Sequence, residues 1–211
     1  MSTLNEISQN LQIGKAKIVK ELVQKALDEG HKPQEILNDG LLPGMAVIGE
    51  KFKNDEIYVP DVMIAARAMN MGTELLKPLL ALSGAKAAGK VIIGTVAGDL
   101  HDIGKNLVKM MMEGRGLEVV DLGVDVSAGR FVETAINENA RIIACSTLLT
   151  TTMTEMENVV KAAENAGIRD KISIMIGGAP VTQSFCETIS ADYYTADAAS
   201  AADVAARICE G

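Results

Sequence analysis

The stretch "GTVAGDLHDIGKN", residues 94–106, sets two carboxylates and an imidazole within four positions: Asp99, His101 and Asp102. His101 is one of only two histidines in the chain. An apolar run ends there in glycines and small residues, and a helical pattern follows. An acid two residues ahead of a histidine can take the Nδ1 proton and leave Nε2 as a metal ligand, the pairing that metal-bound histidines use. No second histidine or cysteine lies nearby to complete a site built from protein side chains alone. A single histidine backed by an aspartate suits a metal that brings its other ligands with a cofactor, as iron does in haem. A solvated loop histidine is the competing reading.

Other chemistries fit the loop less well. A dinucleotide fingerprint needs G-x-G-x-x-G, and there is no G-x-G here. A P-loop needs four residues between its glycines and a hydroxyl after the lysine; here five lie between Gly98 and Gly104, and Asn106 takes the hydroxyl's place. Two acids also stand where phosphates would sit. A phospho-acceptor domain would use an acidic cluster and a lysine, and would have no need of the histidine.

The elements that must position these residues read as two different halves. Up to about residue 88 the pattern is helical. Val19, Leu22, Val23, Ala26 and Leu27 share one helix face. "DEGHKP" breaks that helix, with Gly30 as its stop and Pro33 opening the next. "PGMAVIGEKF" and "DVMIAARAMNMGTELLKPLL" are two more helical segments, the last with Val62, Ala66, Met69, Thr73, Leu76 and Leu80 along one side. A four-helix bundle over residues 1–88 follows. Met45, Met63, Met69 and Met71 fall at core-filling spacing in it. "SGAKAAGK", residues 83–90, reads as a linker.

Beyond it, "KVIIGTVAG", "LEVVDLG", "ARIIACSTLL" and "ISIMIGGAP" are short β-branched runs, each expected as a strand buried on both faces, with "ADYYTADA" a weaker fifth. Helical stretches alternate with them at 103–115, 128–140, 153–167, 182–190 and 199–210. Residues 89–211 therefore form an α/β domain, a doubly wound five-stranded parallel sheet in the flavodoxin-like order 2-1-3-4-5. Ligands bind beyond the carboxyl ends of such strands, where the opening stretch lies.

Composition bounds the rest. With 28 acidic against 20 basic residues the net charge is −8, so there is no basic footprint for nucleic acid or an anionic membrane. The N-terminal "MSTLNEISQNLQIGK" lacks a signal peptide's apolar core, and no run approaches ~18 apolar residues, so a cytoplasmic location is expected. Cys145, Cys186 and Cys209 are dispersed, which suits reduced thiols, and Cys145 reads as a buried small residue. His31 reads as a solvated loop residue.

Asp99-x-His101-x-x-Gly104 resembles the D-x-H-x-x-G motif of cobalamin-binding domains. "STLLTTT", residues 146–152, resembles the S-x-L-x-T segment after their third strand, and "GGAP", residues 177–180, the double glycine after their fourth. "PGMAVIGEKFKNDEIYVPDVMIAARAM" resembles their helical cap. The likeness runs in order along nearly the whole chain, and is nearest to small corrinoid proteins of anaerobic methyltransferase systems and to the matching module of methionine synthase.

The resemblance implies a role for each residue. His101 would bind the lower face of cobalt, displacing cobalamin's own base. Asp99 would hold its Nδ1–H, and Thr152 would hydrogen-bond Asp99, where methionine synthase carries serine. The displaced nucleotide tail would run along Gly104, Ser146, Leu148, Thr150, Gly177 and Gly178. Asp102, grouped with these cofactor-binding residues, reads first as a cap for the helix at Ile103. Phe52 and Val59 match positions that cover the methyl-bearing face. The implied function is a methyl carrier between a substrate-specific methyltransferase and an acceptor methyltransferase, serving tetrahydrofolate or a thiol, with a reductive activator as third partner. A cobalamin-dependent sensor, a mutase subunit and a flavodoxin-like protein without cobalamin are the alternatives. A DNA-binding sensor would need more than the first 15 residues ahead of the cap.

Overall fold

The computed structural model describes residues 2–82 and 87–210. It divides into two compact units, Met1–Ala87 with Gly114–Gly116, and Ala88–Glu113 with Leu117–Gly211. Residues 83–86 of the expected linker lie outside the described part; Lys90, its last residue, already opens a strand.

The first unit is helical: α1 (Thr3–Gln12), α2 (Ala16–Asp28), a short α3 (Pro33–Glu35), α4 (Leu42–Lys53) and α5 (Val59–Leu82). Pro33 opens α3 as expected, but the chain then runs through a π-helical turn, Ile36–Leu41, directly into α4. The expected faces are the buried ones. Val19, Val23 and Ala26 of α2 are fully covered, as are Val62 and Leu76 of α5, and these two helices pack together. Met45 and Met69 fill the core, whereas Met63 is half exposed. α1 was not expected. It buries Thr3, Ile7, Ser8 and Leu11, so two polar residues interrupt the apolar period that would announce it.

The second unit holds five parallel strands in the order β2-β1-β3-β4-β5: β1 (Lys90–Thr95), β2 (Glu118–Asp121), β3 (Ile142–Ser146), β4 (Ser173–Gly177) and β5 (Tyr193–Tyr194). Between and after them come α6 (Ile103–Glu113), α7 (Ala128–Asn137), α8 (Thr154–Asn165), α9 (Gln183–Thr188) and α10 (Ala198–Glu210). This is the expected doubly wound α/β fold. β1, β3 and β4 are buried, since helices cover a parallel sheet on both faces. β2 differs from expectation: it is an edge strand, and its residues are only partly covered. Cys145 sits in the core of β3, where burial pushes its thiol far up. No helix among the described residues is long and apolar enough to cross a membrane.

Candidate functional site

The end of β1 turns sharply into the loop of interest. Asp99 N–H donates to the Val96 carbonyl at 3.2 Å, and Gly98 occupies the third position of that turn at φ 79°. A turn of this kind takes glycine there because side chains clash at positive φ. Asp125 clamps the turn from the adjacent loop. Its carboxylate accepts from Gly98 N–H at 2.7 Å, and its own N–H donates to the Asp99 carbonyl at 3.0 Å. Asp125 itself lies at φ 53°, a region an aspartate tolerates better than most residues.

Asp99 is fully buried, with four donors on its carboxylate. Oδ1 accepts the His101 main-chain N–H at 3.0 Å and His101 Nδ1 at 2.7 Å. Oδ2 accepts the Leu148 N–H at 2.6 Å and the Thr147 hydroxyl at 2.8 Å. The two-residue spacing of D-x-H is an Asx turn, in which the side chain bonds the backbone two positions on. Burial alone would raise the Asp99 pKa. The N–H groups of His101 and Leu148, with the His101 ring and the Thr147 hydroxyl, outweigh it and hold the carboxyl well below the usual range.

An ionised carboxylate only accepts hydrogen bonds, so His101 must carry its proton on Nδ1. Nε2 is left as the outward nitrogen, on a side chain 53% exposed. The Thr95 hydroxyl, fully buried, donates to the His101 carbonyl at 2.8 Å and fixes the loop from below.

Thr152 is placed differently from expectation. Its hydroxyl lies 2.6 Å from the hydroxyl of Thr147, and it is Thr147 that reaches Asp99. Thr147 thus stands between the two, because it leaves β3 one residue after Ser146 and points at the carboxylate. The sequence reading missed it, since nothing local to "STLL" marks which hydroxyl meets residue 99.

Ser146 and Gly177 are register partners on β3 and β4, and Thr147 N–H donates to the Gly177 carbonyl at 3.2 Å. A Cβ on Gly178 would collide with the Thr147 carbonyl, so this glycine is required by the protein's own backbone. Gly104 has open space where a Cβ would stand, and Gly177 has only an ordinary contact. Leu148 and Thr150 are exposed beside them. The structure therefore brings Asp99, His101, Ser146, Leu148, Thr152, Gly177 and Gly178 to one end of the sheet.

Asp102 precedes α6. Its carboxylate accepts the side-chain amide of Asn106 at 3.0 Å, where a cap would take a main-chain N–H. Next to it is a pair the sequence reading did not single out. Lys105, nearly fully buried, donates from Nζ to Asp121 at 2.7 and 2.8 Å and to Asn106 at 2.7 Å. Burial would raise the Asp121 pKa, but the Lys105 ammonium outweighs it and holds the carboxyl low.

Phe52, near the end of α4, and Val59, the first residue of α5, belong to the helical unit and are half-buried within it. His31 is not simply solvated: its Nδ1 lies 2.9 Å from Glu35. Among the described residues there is no group of three or more His, Cys, Asp or Glu side chains that could hold a metal. A metal at His101 would have to arrive with its remaining ligands.

Two family profiles described as "B12 binding domain" match this chain, one over residues 89–207 and the other over residues 3–77. A corrinoid protein of Desulfitobacterium hafniense (strain Y51) is 38% identical over 211 residues, 99% of this chain and 98% of that protein. Trimethylamine corrinoid protein 1 of Methanosarcina acetivorans is 42% identical, over 90% of this chain and 88% of that one. The crystal structure of the methanol:cobalamin methyltransferase complex MtaBC of Methanosarcina barkeri contains a chain that superposes with a TM-score of 0.89 at 33% identity, covering 99% of this chain and 80% of that one. With a half-exposed His101 backed by the buried Asp99 at the mouth of its parallel sheet, the chain belongs to the B12-binding-domain family and, within it, to the corrinoid proteins, whose cofactor is cobalamin.

Proposed function

We propose that this protein is a corrinoid methyl carrier that holds cobalamin with the cofactor's own base displaced and His101 in the lower axial position. The observation that carries this reading is the 2.7 Å contact between His101 Nδ1 and the buried Asp99 carboxylate. A buried, ionised Asp99 pins Nδ1–H at 2.7 Å and turns Nε2 outward from a half-exposed ring.

The site suits the group. A single imidazole matches a metal that comes in a macrocycle with four ligands of its own. Around the histidine the side chains of Leu100, Ile103 and Leu148 are 72%, 79% and 46% exposed, an apolar rim for a flat ring. Open space at Gly104 and slack at Gly177 leave room for a tail running beside Ser146, Leu148, Thr150 and Gly178. Asp102, with Asn106, edges the same loop. Cobalamin supplies a metal that can accept a methyl group and give it up again. His101 would hold that metal, Asp99 keeps the imidazole in one orientation and raises its basicity, and Thr147, backed by Thr152, holds Asp99. Phe52 and Val59 are assigned to the methyl-bearing face.

The partners in this reading are a substrate-specific methyltransferase, an acceptor methyltransferase using tetrahydrofolate or a thiol, and a reductive activator, in the cytoplasm. The relatives support the first of these, since one is named for trimethylamine and another was solved as a methanol:cobalamin methyltransferase complex. The test is electron paramagnetic resonance of the cobalt(II) holoprotein labelled with nitrogen-15. Coupling to one protein nitrogen is expected, and His101→Ala should abolish it. Coupling that survives the substitution would exclude His101 as the ligand.

A further inference from the structure

We propose that Asp125, in the loop between β2 and α7, is a positioning residue for His101: its carboxylate and its main-chain N–H hold the Gly98–Asp99 unit in place before the cofactor arrives. The proposal rests on cobalamin being held at His101.

A backbone observation singles this residue out. Four non-glycine residues among those described lie at positive φ: Asp55, Asp125, Asn139 and Ser190. Asp55, Asn139 and Ser190 each follow the C-cap residue of a helix, α4, α7 and α9 respectively. A left-handed residue there is an ordinary helix ending. Asp125 ends no helix, and β2 has already stopped at Asp121. A conformation of that kind persists only where its surroundings enforce it, and such residues gather at functional sites.

The surroundings do enforce it. Thr95, fully buried at the end of β1, donates its N–H to the Gly123 carbonyl and accepts the Val126 N–H, each at 3.0 Å. Val126 is itself buried. The loop is thus pinned on either side of Asp125 to the strand that leads into Gly98. At φ 53° Asp125 turns two polar groups to the same turn. Its carboxylate takes the Gly98 N–H at 2.7 Å, and its N–H reaches the Asp99 carbonyl at 3.0 Å. These contacts bracket the Gly98–Asp99 unit, and the Asp99 side chain in turn holds both the ring and the main-chain N–H of His101. They need no cofactor, so they order the loop in advance. A site whose competent form is only fractionally populated binds more weakly by that fraction.

Three variants separate the acceptor from the backbone conformation. Asp125→Gly removes the carboxylate and keeps the left-handed backbone. Asp125→Asn keeps an oxygen acceptor and tolerates that backbone. Asp125→Ala loses the acceptor and adds a Cβ clash at positive φ. Hydroxocobalamin is titrated into each cofactor-free protein, and amide hydrogen exchange is followed by magnetic resonance. In Asp125→Gly the affinity should fall about tenfold, the scale of one hydrogen bond to a charged acceptor. Exchange at Gly98 and His101 should quicken by about the same factor, with the amides of β3 and the urea midpoint unmoved. Asp125→Asn should restore both readings to within about threefold of the parent, and Asp125→Ala should bind more weakly than Asp125→Gly. If Asp125→Ala does not fold, the glycine and asparagine variants decide the matter alone. Unchanged affinity in Asp125→Gly, affinity lost with exchange unmoved, or an asparagine variant as weak as the glycine one overturns the proposal. If the loaded parent shows no coupling to a protein nitrogen, the His101 ligation fails instead, and the exchange measurements still decide whether Asp125 holds the turn.

Discussion

Asp99 is a buried carboxylate held by two main-chain N–H groups, an imidazole and a hydroxyl. Because its folded-state pKa lies below the unfolded value, the stability it contributes is whole above the unfolded value and drains away as pH falls toward the folded one. Asp99→Asn should thus destabilise the cofactor-free protein at pH 7 by about 1.5–3 kcal/mol, the scale of hydrogen bonds to a charged group. Urea melts should show that gap narrowing as the solution is acidified; a gap constant down to pH 3 would mean the carboxylate is not ionised in the fold. The glycines separate by the same kind of reasoning. Gly104→Ala puts a methyl into open space on a helix, so the cofactor-free protein should gain about 0.5–1 kcal/mol while its affinity for cobalamin falls. Gly178→Ala should lose stability outright, because the added carbon meets the Thr147 carbonyl. The D-x-H pairing was legible in the sequence because an Asx turn is local. The Thr147 contact was not, since it joins residues 48 apart and depends on where β3 ends beside β1.

At the level of elements, α6 begins two residues after His101, so whatever fixes α6 fixes the ligand loop. Lys105 does so by tying the first turn of the helix to Asp121 at the end of β2. Lys105→Met should cost stability toward the lower end of the ~3–5 kcal/mol typical of broken buried pairs, because Asp121 keeps Lys109 at 3.3 Å and the Gly123 N–H at 2.9 Å. The double variant Lys105→Met/Asp121→Leu should recover part of that loss in chemical denaturation. A double variant less stable than the single would argue against an uncompensated charge as the cause. The strands and their order could be read from β-branched runs alternating with helical stretches. The π-helical turn and α1 could not: one departs from the 3.6-residue period, and the other buries Thr3 and Ser8 on its inner face. Lys105 was equally hidden, because a lysine next to a glycine gives no sign that it is nearly fully buried.

For the whole molecule, the proposed carrier must present one cofactor face to two different enzymes while Phe52 and Val59 are assigned to that face. Both cannot hold in one arrangement, so the proposed carrier is expected to shift its helical unit during the cycle. An engineered disulfide tying the helical unit to the sheet unit should leave cobalamin bound, stop methyl transfer, and release it again on reduction. Transfer at full rate with the bond closed would show that the partners reach cobalt without such movement. The native thiols leave this test clean: Cys145, Cys186 and Cys209 are all buried, and burial raises the pKa of each. They should resist a thiol reagent until the protein is unfolded. The contact between Gly178 and Thr147 has a bearing on descent as well. The backbone at residue 147 sits where it does only while residue 178 has no side chain, and that placement aims the threonine at Asp99. A lineage that gains any side chain at 178 must move residue 147, and the hydroxyl loses its target. The two positions, 31 apart in the chain, are in effect one heritable character, and a change at 178 is expected to travel with a change at 147.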